Sequence, residues 1–185
     1  MSRPDIAFLV KTLSQFMQQP KRSHWDAAIR VVKYIKREPG LGILLRSQNS
    51  SEISVFCDAD WASCPNTRKS VSGYLVKFGE SPISWKSKKQ NTVSKSSAEA
   101  EYRNMASGVS EVVWLTALLR ELGAKVKFPV HIYSDSRAAM EISANPVFHE
   151  RIKHIEIDCH FCHTPFLPLQ KICTKCNVLC YEFVG

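Results

Sequence analysis

The chain has 185 residues, of which 44% are hydrophobic and 23% charged, a balance typical of a globular protein. Its net charge of +8 is concentrated in residues 1–50, where nine Lys/Arg face three Asp/Glu. This basic segment is explained either by a solvated helix face or by a polyanionic partner such as nucleic acid. There is no apolar run of about 18 residues and no apolar leader, so the sequence predicts neither a membrane span nor secretion, and it favours a cytoplasmic or nuclear protein.

The N-terminal part is predicted to form two amphipathic helices. Apolar residues recur at helical spacing over residues 4–19, up to Pro20, and again over residues 23–38, where Ser23 is a candidate N-cap. Residues 41–45 are predicted to form a short strand. This basic segment is therefore expected to be a helical extension of the domain that follows it.

The rest of the chain predicts a mixed α/β domain. Three strands come first, a long helix that ends at Gly123 follows, and a further strand precedes a helix that stops at Pro146. Another helix is predicted after Pro146. The predicted strands are residues 52–61, 70–78, 81–86 and 129–134, and the predicted helices are residues 97–122, 136–144 and 149–161.

Three acidic residues lie where a metal site needs them. Asp58 is near the end of the first of these strands, Asp135 directly follows the later strand, and Glu101 is on the long helix between them. At about 100° per residue, Glu101 falls at the edge of the apolar helix face, whereas Glu99 points the other way and is predicted to be solvated. One such acid alone is better explained as a turn residue or a cap, but the three together predict a Mg²⁺ site, because Mg²⁺ prefers oxygen ligands.

These residues resemble the ribonuclease H domain of copia-type LTR retrotransposon polyproteins. The resemblance is carried by residues 57–115, from CDADW to EVVWL, and by residues 132–161, from IYSDS to IDCHF. Residues 2–45, from SRPDI to LGILL, look like the end of the reverse transcriptase of the same polyproteins. In all, the resemblance covers residues 2–161.

The resemblance implies a ribonuclease H-like fold, with a five-stranded mixed sheet flanked by helices. It also implies hydrolysis of the RNA strand of RNA–DNA hybrids with Mg²⁺, for which Mn²⁺ is an alternative. Carried over by motif, the catalytic and metal-binding residues are Asp58 in CDADW, Glu101 in AEAEY and Asp135 in YSDS. Asp60 and Asp158 are near the site in sequence but are not expected to be ligands.

The sequence departs from the family at its C-terminal end. The family's fourth carboxylate lies in a motif resembling Ala-Asp-x-x-Thr-Lys, and this sequence has none. The expectation is therefore an impaired ribonuclease H, and the alternative is a non-catalytic nucleic-acid-binding remnant. The expected organisation is a reverse transcriptase tail (1–46), a ribonuclease H-like domain (52–161) and a degraded or truncated tail (162–185). The expected partners are an RNA–DNA hybrid and the remainder of a reverse transcriptase.

Two other features carry weaker hypotheses. Lys86, Lys88 and Lys89 are predicted to form a basic loop that contacts phosphates, although a solvated loop explains them nearly as well. Four cysteines have the spacing of a zinc site, but the first of them falls inside the family's helix and the second pair lies in the degraded tail. A zinc-stabilised adaptor is therefore the less favoured alternative. These cysteines are Cys159, Cys162, Cys173 and Cys176. The four tryptophans are expected to pack in or against the core.

Overall fold

A computed structural model describes residues 3–47, 50–144, 169–173 and 178–181 of the chain. A short 3₁₀ helix, Pro4–Ile6, precedes the regular elements. In chain order the regular elements are α1 (Ala7–Ser14), α2 (Arg22–Arg37), β1 (Glu52–Asp60), β2 (Val71–Phe78), β3 (Ser81–Lys89), α3 (Ser97–Glu121), β4 (Lys127–Tyr133), α4 (Arg137–Ala144), β5 (Leu169–Cys173) and β6 (Val178–Tyr181). No helix in these ranges is long and apolar enough to cross a membrane.

The strands form one mixed sheet in the order β3-β2-β1-β4-β6-β5. β1, β2 and β3 form an antiparallel meander, whereas β4 lies parallel to β1. The predicted α/β class, with a mixed sheet and an N-terminal helical extension, is confirmed. The described part of the sheet has six strands rather than the five that the resemblance implied, because β6 pairs antiparallel with β4 and β5 pairs antiparallel with β6.

The core lies between this sheet and α3. β1 alternates strictly, so that every second side chain from Ile53 to Ala59 is buried and the others face away. α3 contributes Tyr102, Met105, Val109 and Val112 to the same core. Its length of 25 residues carries the helix across the sheet and places its N-terminal turns beside the end of β1.

Gly108 sets how closely α3 approaches β1. A Cβ atom at this position would lie 2.9 Å from the Cys57 sulfur and 3.2 Å from a Val55 methyl group. Both contacts are shorter than side chains tolerate without a shift of the neighbouring atoms. The helix can therefore lie this close to the strand only because residue 108 has no side chain.

A carboxylate of α3 also ties the helix to the sheet. Glu111 accepts a hydrogen bond from the Tyr74 hydroxyl of β2 at 2.9 Å and another from the Ser84 hydroxyl of β3 at 2.6 Å. Burial, followed by this bond to Glu111, raises the pKa of Tyr74. Tyr74 is therefore a hydrogen-bond donor at every physiological pH, and the contact holds three elements together.

The N-terminal extension lies against the opposite side of the meander from α3. Ile6 is buried there, and Lys89 of β3 donates a hydrogen bond to the Gln15 side chain at 2.6 Å. Tyr34 of α2 donates to Asp5, which also pairs with Arg3. α2 has no buried residue, so the extension is held by few contacts.

Several predicted elements differ from the structure. Residues 41–45 form no strand, because none of the described strands pairs with them. The helix predicted over residues 4–19 ends at Ser14, and α2 starts at Arg22, one residue before its predicted cap Ser23. Lys86, Lys88 and Lys89 lie within β3, which pairs with β2 as far as Lys89. The helix predicted over residues 149–161 lies outside the described residues.

Gly108→Ala is expected to lower the free energy of unfolding by about 1–2 kcal/mol. Overpacking against β1 costs about 1–3 kcal/mol, and the higher helix propensity of Ala returns less than about 1 kcal/mol. Urea unfolding followed by circular dichroism measures the difference. Gly42→Ala is the control, since a Cβ there meets nothing within 4 Å.

The double variant Gly108→Ala/Cys57→Ala provides a second check. Removing the sulfur makes room for the new methyl group, so the double variant should lose less stability than the sum of the two single variants. If the stability loss of the double variant equalled the sum of the two single losses, contact between residue 108 and Cys57 would not be the reason for the glycine.

Candidate metal centre

Three carboxylates converge at one end of the sheet. Asp58, Glu101 and Asp135 each offer an oxygen, and these oxygens all lie within 4.8 Å of one another. Glu101 is buried, whereas Asp58 and Asp135 are exposed. The three residues that the sequence singles out are thus brought together, and they come from β1, α3 and the segment that follows β4.

The parallel pairing of β1 with β4 explains the convergence of the two aspartates. Phe56 of β1 is in register with Tyr133, the last residue of β4. Asp58 and Asp135 each come two residues later along the chain, so both carboxylates leave the same edge of the sheet. β1 continues to Asp60 and pairs there with β2 alone among the described strands.

Glu101 is fixed by the overhanging end of β1. Its Oε1 accepts a hydrogen bond from the Ala59 backbone N–H at 3.0 Å. Its Oε2 is buried and has no hydrogen-bond partner among the described residues. An unpaired carboxylate oxygen is costly inside a protein, and a cation coordinated beside two further carboxylates would satisfy it. The three residues therefore fit a divalent cation that takes oxygen ligands.

Burial and the neighbouring negative charges raise the pKa values of Glu101 and Asp58 in the absence of a cation. Burial raises the pKa of Glu101 to about 7, with smaller contributions from the charges of Asp135, Asp58 and Asp60, against the lowering effect of the Ala59 N–H. The pKa of Asp58 is also raised, first by burial and then by Asp135 and Asp60. The cluster thus resists carrying its full negative charge, which a bound cation would reverse.

The first turn of α3 is fixed by Glu99, for which the sequence prediction was wrong. Glu99 is 4% exposed, whereas we predicted a solvated side chain. It accepts a hydrogen bond from the Lys95 N–H at 2.7 Å and pairs with Arg103 at 2.9 Å. The Ser96 hydroxyl in turn accepts a bond from the Glu99 N–H. The spacing of Ser96 and Glu99 is that of a capping box, and this signal predicts an inward Glu99.

Asn104 is a further site residue that the sequence analysis missed. It is completely buried, and its side-chain amide donates to the backbone oxygens of Asp58 at 2.8 Å and Gly73 at 2.9 Å. It therefore holds the backbone of Asp58 against α3. The available signal was its position three residues after Glu101, which puts both polar side chains on the same side of the helix.

One cavity borders the centre, and a second cavity is lined by none of its carboxylates. Asp58 and Asp60 border a cleft of about 470 Å³ between the N-terminal extension and the sheet, which Phe8 and Trp85 also line. A second cavity of about 280 Å³ lies between β3 and α3. The exposed aspartates are thus accessible to a large ligand.

The predicted basic residues divide into two environments. Lys86 and Lys88 are exposed and border the second cavity, together with Arg103. Lys89 also borders this cavity, but it donates to Gln15 and to the Cys64 sulfur at 3.7 Å, so its ammonium group is already engaged. Lys86 and Lys88 are therefore the better candidates for contacts with phosphates.

The zinc hypothesis gains no support from the described residues. Cys173 ends β5, whereas Cys159, Cys162 and Cys176 lie outside the described ranges. Asp158 and the C-terminal residues 182–185 also lie outside them. Within the described residues, the carboxylate cluster is the one group of potential metal ligands.

Sequence comparison identifies long relatives. Over 160 residues, the chain is 46% identical to the retrovirus-related Pol polyproteins from transposons RE2 and RE1 of Arabidopsis thaliana. It is 37% identical to the corresponding polyprotein from transposon TNT 1-94 of Nicotiana tabacum. Each alignment covers 86% of this chain but only 11% or 12% of the relative. No protein-family model and no solved structure matches the chain.

Glu101→Gln is expected to stabilise the metal-free chain at about pH 8. The pKa of Glu101 is about 7 in the folded state, whereas its ordinary value is 4.5. At a pH between these two values, the carboxyl of the folded chain is still protonated and that of the unfolded chain is not. Stability therefore falls as the pH rises through this window. Gln can still accept from Ala59, so the variant should gain about 1–3 kcal/mol at pH 8 and almost nothing at pH 4.

Urea unfolding in EDTA at the two pH values measures this gain. Glu121→Gln, at the exposed end of α3, is the control and should change little. Adding Mg²⁺ should stabilise the unaltered chain more than the Glu101→Gln variant, since only a carboxylate offers a charged ligand. A loss of stability at pH 8 in the variant would contradict the origin assigned to the raised pKa.

Proposed function

We propose that this chain, which belongs to the family of copia-type retrotransposon Pol polyproteins, is the ribonuclease H unit of such a polyprotein and hydrolyses the RNA strand of RNA–DNA hybrids. The chain spans 11% of the length of the transposon RE2 polyprotein, so this activity is proposed for one unit of a much longer enzyme. Residues 1–46 would then connect the unit to the reverse transcriptase that precedes it. The polyprotein would act in the cytoplasm or the nucleus.

One observation carries the proposal: a buried carboxylate with an unpaired oxygen lies within 4.8 Å of two exposed ones. Glu101 and Asn104 reach this end of the sheet from a rigid helix and hold Ala59 and Asp58 in place. The exposed aspartates leave room for a phosphodiester to approach. When bound there, Mg²⁺ or Mn²⁺ would activate a water molecule and neutralise charge on the leaving oxygen.

Hydrolysis by this chain is expected to be weak. The described residues bring three carboxylates together, and Mg²⁺ binds loosely where few carboxylates surround it. Such a site fixes one ion better than two. Fusing the family's Ala-Asp-x-x-Thr-Lys segment to the chain should therefore increase the rate, if a fourth carboxylate is what limits it.

A second candidate function is binding of nucleic acid without hydrolysis. Lys86 and Lys88 of β3 are exposed beside a polar cavity, and the N-terminal extension carries further basic residues. Contacts of this kind give affinity for any phosphate backbone and need no metal ion. A cleavage assay and a binding assay, performed on the same variants, separate the two functions.

Asp58→Asn is expected to reduce Mg²⁺-dependent cleavage of a labelled RNA–DNA hybrid by at least about 100-fold, because it removes a charged metal ligand. Asp60→Asn, two residues further along β1, is the matched control and should keep most of the activity. EDTA should abolish cleavage in the unaltered chain. Equal losses in the two variants would show that general negative charge, and not ligation by Asp58, supports the reaction.

Lys88→Glu is expected to weaken hybrid binding at low salt and to flatten its salt dependence. Each lost phosphate contact removes about one released counterion, so the slope of log affinity against log salt should change by about 1. Lys125→Glu, an exposed site outside β3, is the control with the same change in charge. An equal loss of hybrid affinity in the two variants would argue against β3 as the binding surface.

A further inference from the structure

Trp61 combines exposure with a fixed orientation. It follows β1 directly, three residues after Asp58, and 49% of its surface is exposed. Its indole N–H donates a hydrogen bond to the Ser94 backbone oxygen at 3.0 Å, and Ser94 itself is only 3% exposed. The polar atom of the ring is therefore satisfied by the protein, while about half of the residue's surface is left to solvent.

The residues that hold Trp61 are themselves well connected. Ser94 donates from its hydroxyl to the Gln90 side-chain oxygen at 2.8 Å. The Gln90 amide donates to the Ser72 hydroxyl at 2.8 Å and to the Ala100 backbone oxygen at 2.9 Å. This network joins β2, the end of β3 and the first turn of α3. Trp61 is thus attached to a rigid base, and ordering its ring on binding costs little conformational entropy.

Trp61 separates an acidic from a basic part of the chain. Asp58, three residues before it, belongs to the carboxylate centre that a cation would occupy. After it in the sequence, residues 61–98 contain seven Lys/Arg and one acidic residue, Glu80, and the exposed Lys95 directly follows Ser94, which holds the ring. A ligand that has both anionic groups for the lysines and a metal-binding phosphate for the carboxylates fits this arrangement, and a nucleic-acid strand is such a ligand.

We propose that Trp61 is a contact residue for the nucleic-acid strand held at the carboxylate centre, with its exposed ring packed against a sugar or an unpaired base of that strand. This inference rests on the proposed function, because it takes the strand at the centre as given. Aromatic rings beside a positively charged surface bind strands of any sequence, since every sugar and base has a flat apolar side.

Exposure alone does not distinguish Trp61 from other tryptophans. Trp25 and Trp114 are each 59% exposed, and single exposed apolar residues are ordinary. What sets Trp61 apart is its position between the strand that carries Asp58 and the segment that leads to Glu101. A polypeptide partner is the competing occupant, but the excess of lysine and arginine in residues 61–98 favours a polyanion.

The test compares two substitutions of the same residue. Trp61→Ala removes both the ring and the N–H, whereas Trp61→Phe keeps an aromatic ring and loses only the hydrogen bond to Ser94. Affinity is measured by fluorescence anisotropy in EDTA, with a labelled blunt RNA–DNA hybrid and with the same hybrid carrying a single-stranded overhang. We expect Trp61→Ala to weaken binding about 5- to 100-fold and Trp61→Phe to weaken it about threefold or less. Trp114→Ala is the control.

The two hybrids identify the contact. A loss on both indicates packing against a sugar, and a loss confined to the overhang indicates stacking on an unpaired base. Binding by Trp61→Ala within about twofold of the unaltered chain on both hybrids would overturn the proposal. Equal losses in the Ala and Phe variants would also overturn it, because the bond to Ser94 would then explain the whole effect.

A second measurement does not depend on the Ala variant folding. In a chain whose other three tryptophans are replaced by Phe, the emission of Trp61 should shift or be quenched when the hybrid is added, and an unchanged emission at saturation would count against the contact. Cleavage in Mg²⁺ is assayed in parallel. If affinity depends on Trp61 but the unaltered chain does not cleave the hybrid, the proposed hydrolysis alone is refuted. If the unaltered chain cleaves the hybrid and Trp61→Ala binds it with unaltered affinity, this inference alone is refuted.

Discussion

The close packing of α3 on β1 is the constraint on which the rest of the structure depends. At Gly108 the helix backbone approaches the strand as closely as the absence of a side chain allows. Seven residues earlier, and on the same helix, Glu101 reaches the Ala59 N–H. Because α3 is a rigid rod, the spacing set at Gly108 also sets the position of the Glu101 carboxylate. The packing of α3 in the core therefore determines the geometry of the carboxylate centre.

The centre is built at the expense of stability. Glu101 is buried with one oxygen unpaired, and its pKa of about 7 reflects the cost of charging it there. The residues beside it hold it in place: the Asn104 amide donates to two backbone oxygens, and Ser96 and Glu99 close the start of α3. These supporting residues keep the Glu101 carboxylate from relaxing away from the position where a cation would contact it.

The sequence predicted the site better than its surroundings. Asp58, Glu101 and Asp135 follow from strand ends and helix periodicity, which are local properties. Glu99 was assigned to solvent because periodicity ignores caps, and a half-buried partner such as Arg103 is not visible in the spacing of one helix. β3 extends to Lys89 because β2 offers it a partner over that length, so its end depends on a tertiary contact. Residues 41–45 have strand-like composition but no partner.

The position of Asp58, two residues beyond the last pair of β1 and β4, limits which changes this gene can tolerate. Side chains alternate along a strand, so deleting one codon anywhere from Ile53 to Phe56 would turn Asp58 to the other face of the sheet and break its alignment with Asp135. The same deletion in the turn between Trp61 and Ser70 would leave that alignment intact. Among copies that drift without selection, in-frame deletions should fall evenly on both segments. A shortage of them in β1 would therefore be a record of past selection for a working centre, readable from genomic copies without any assay.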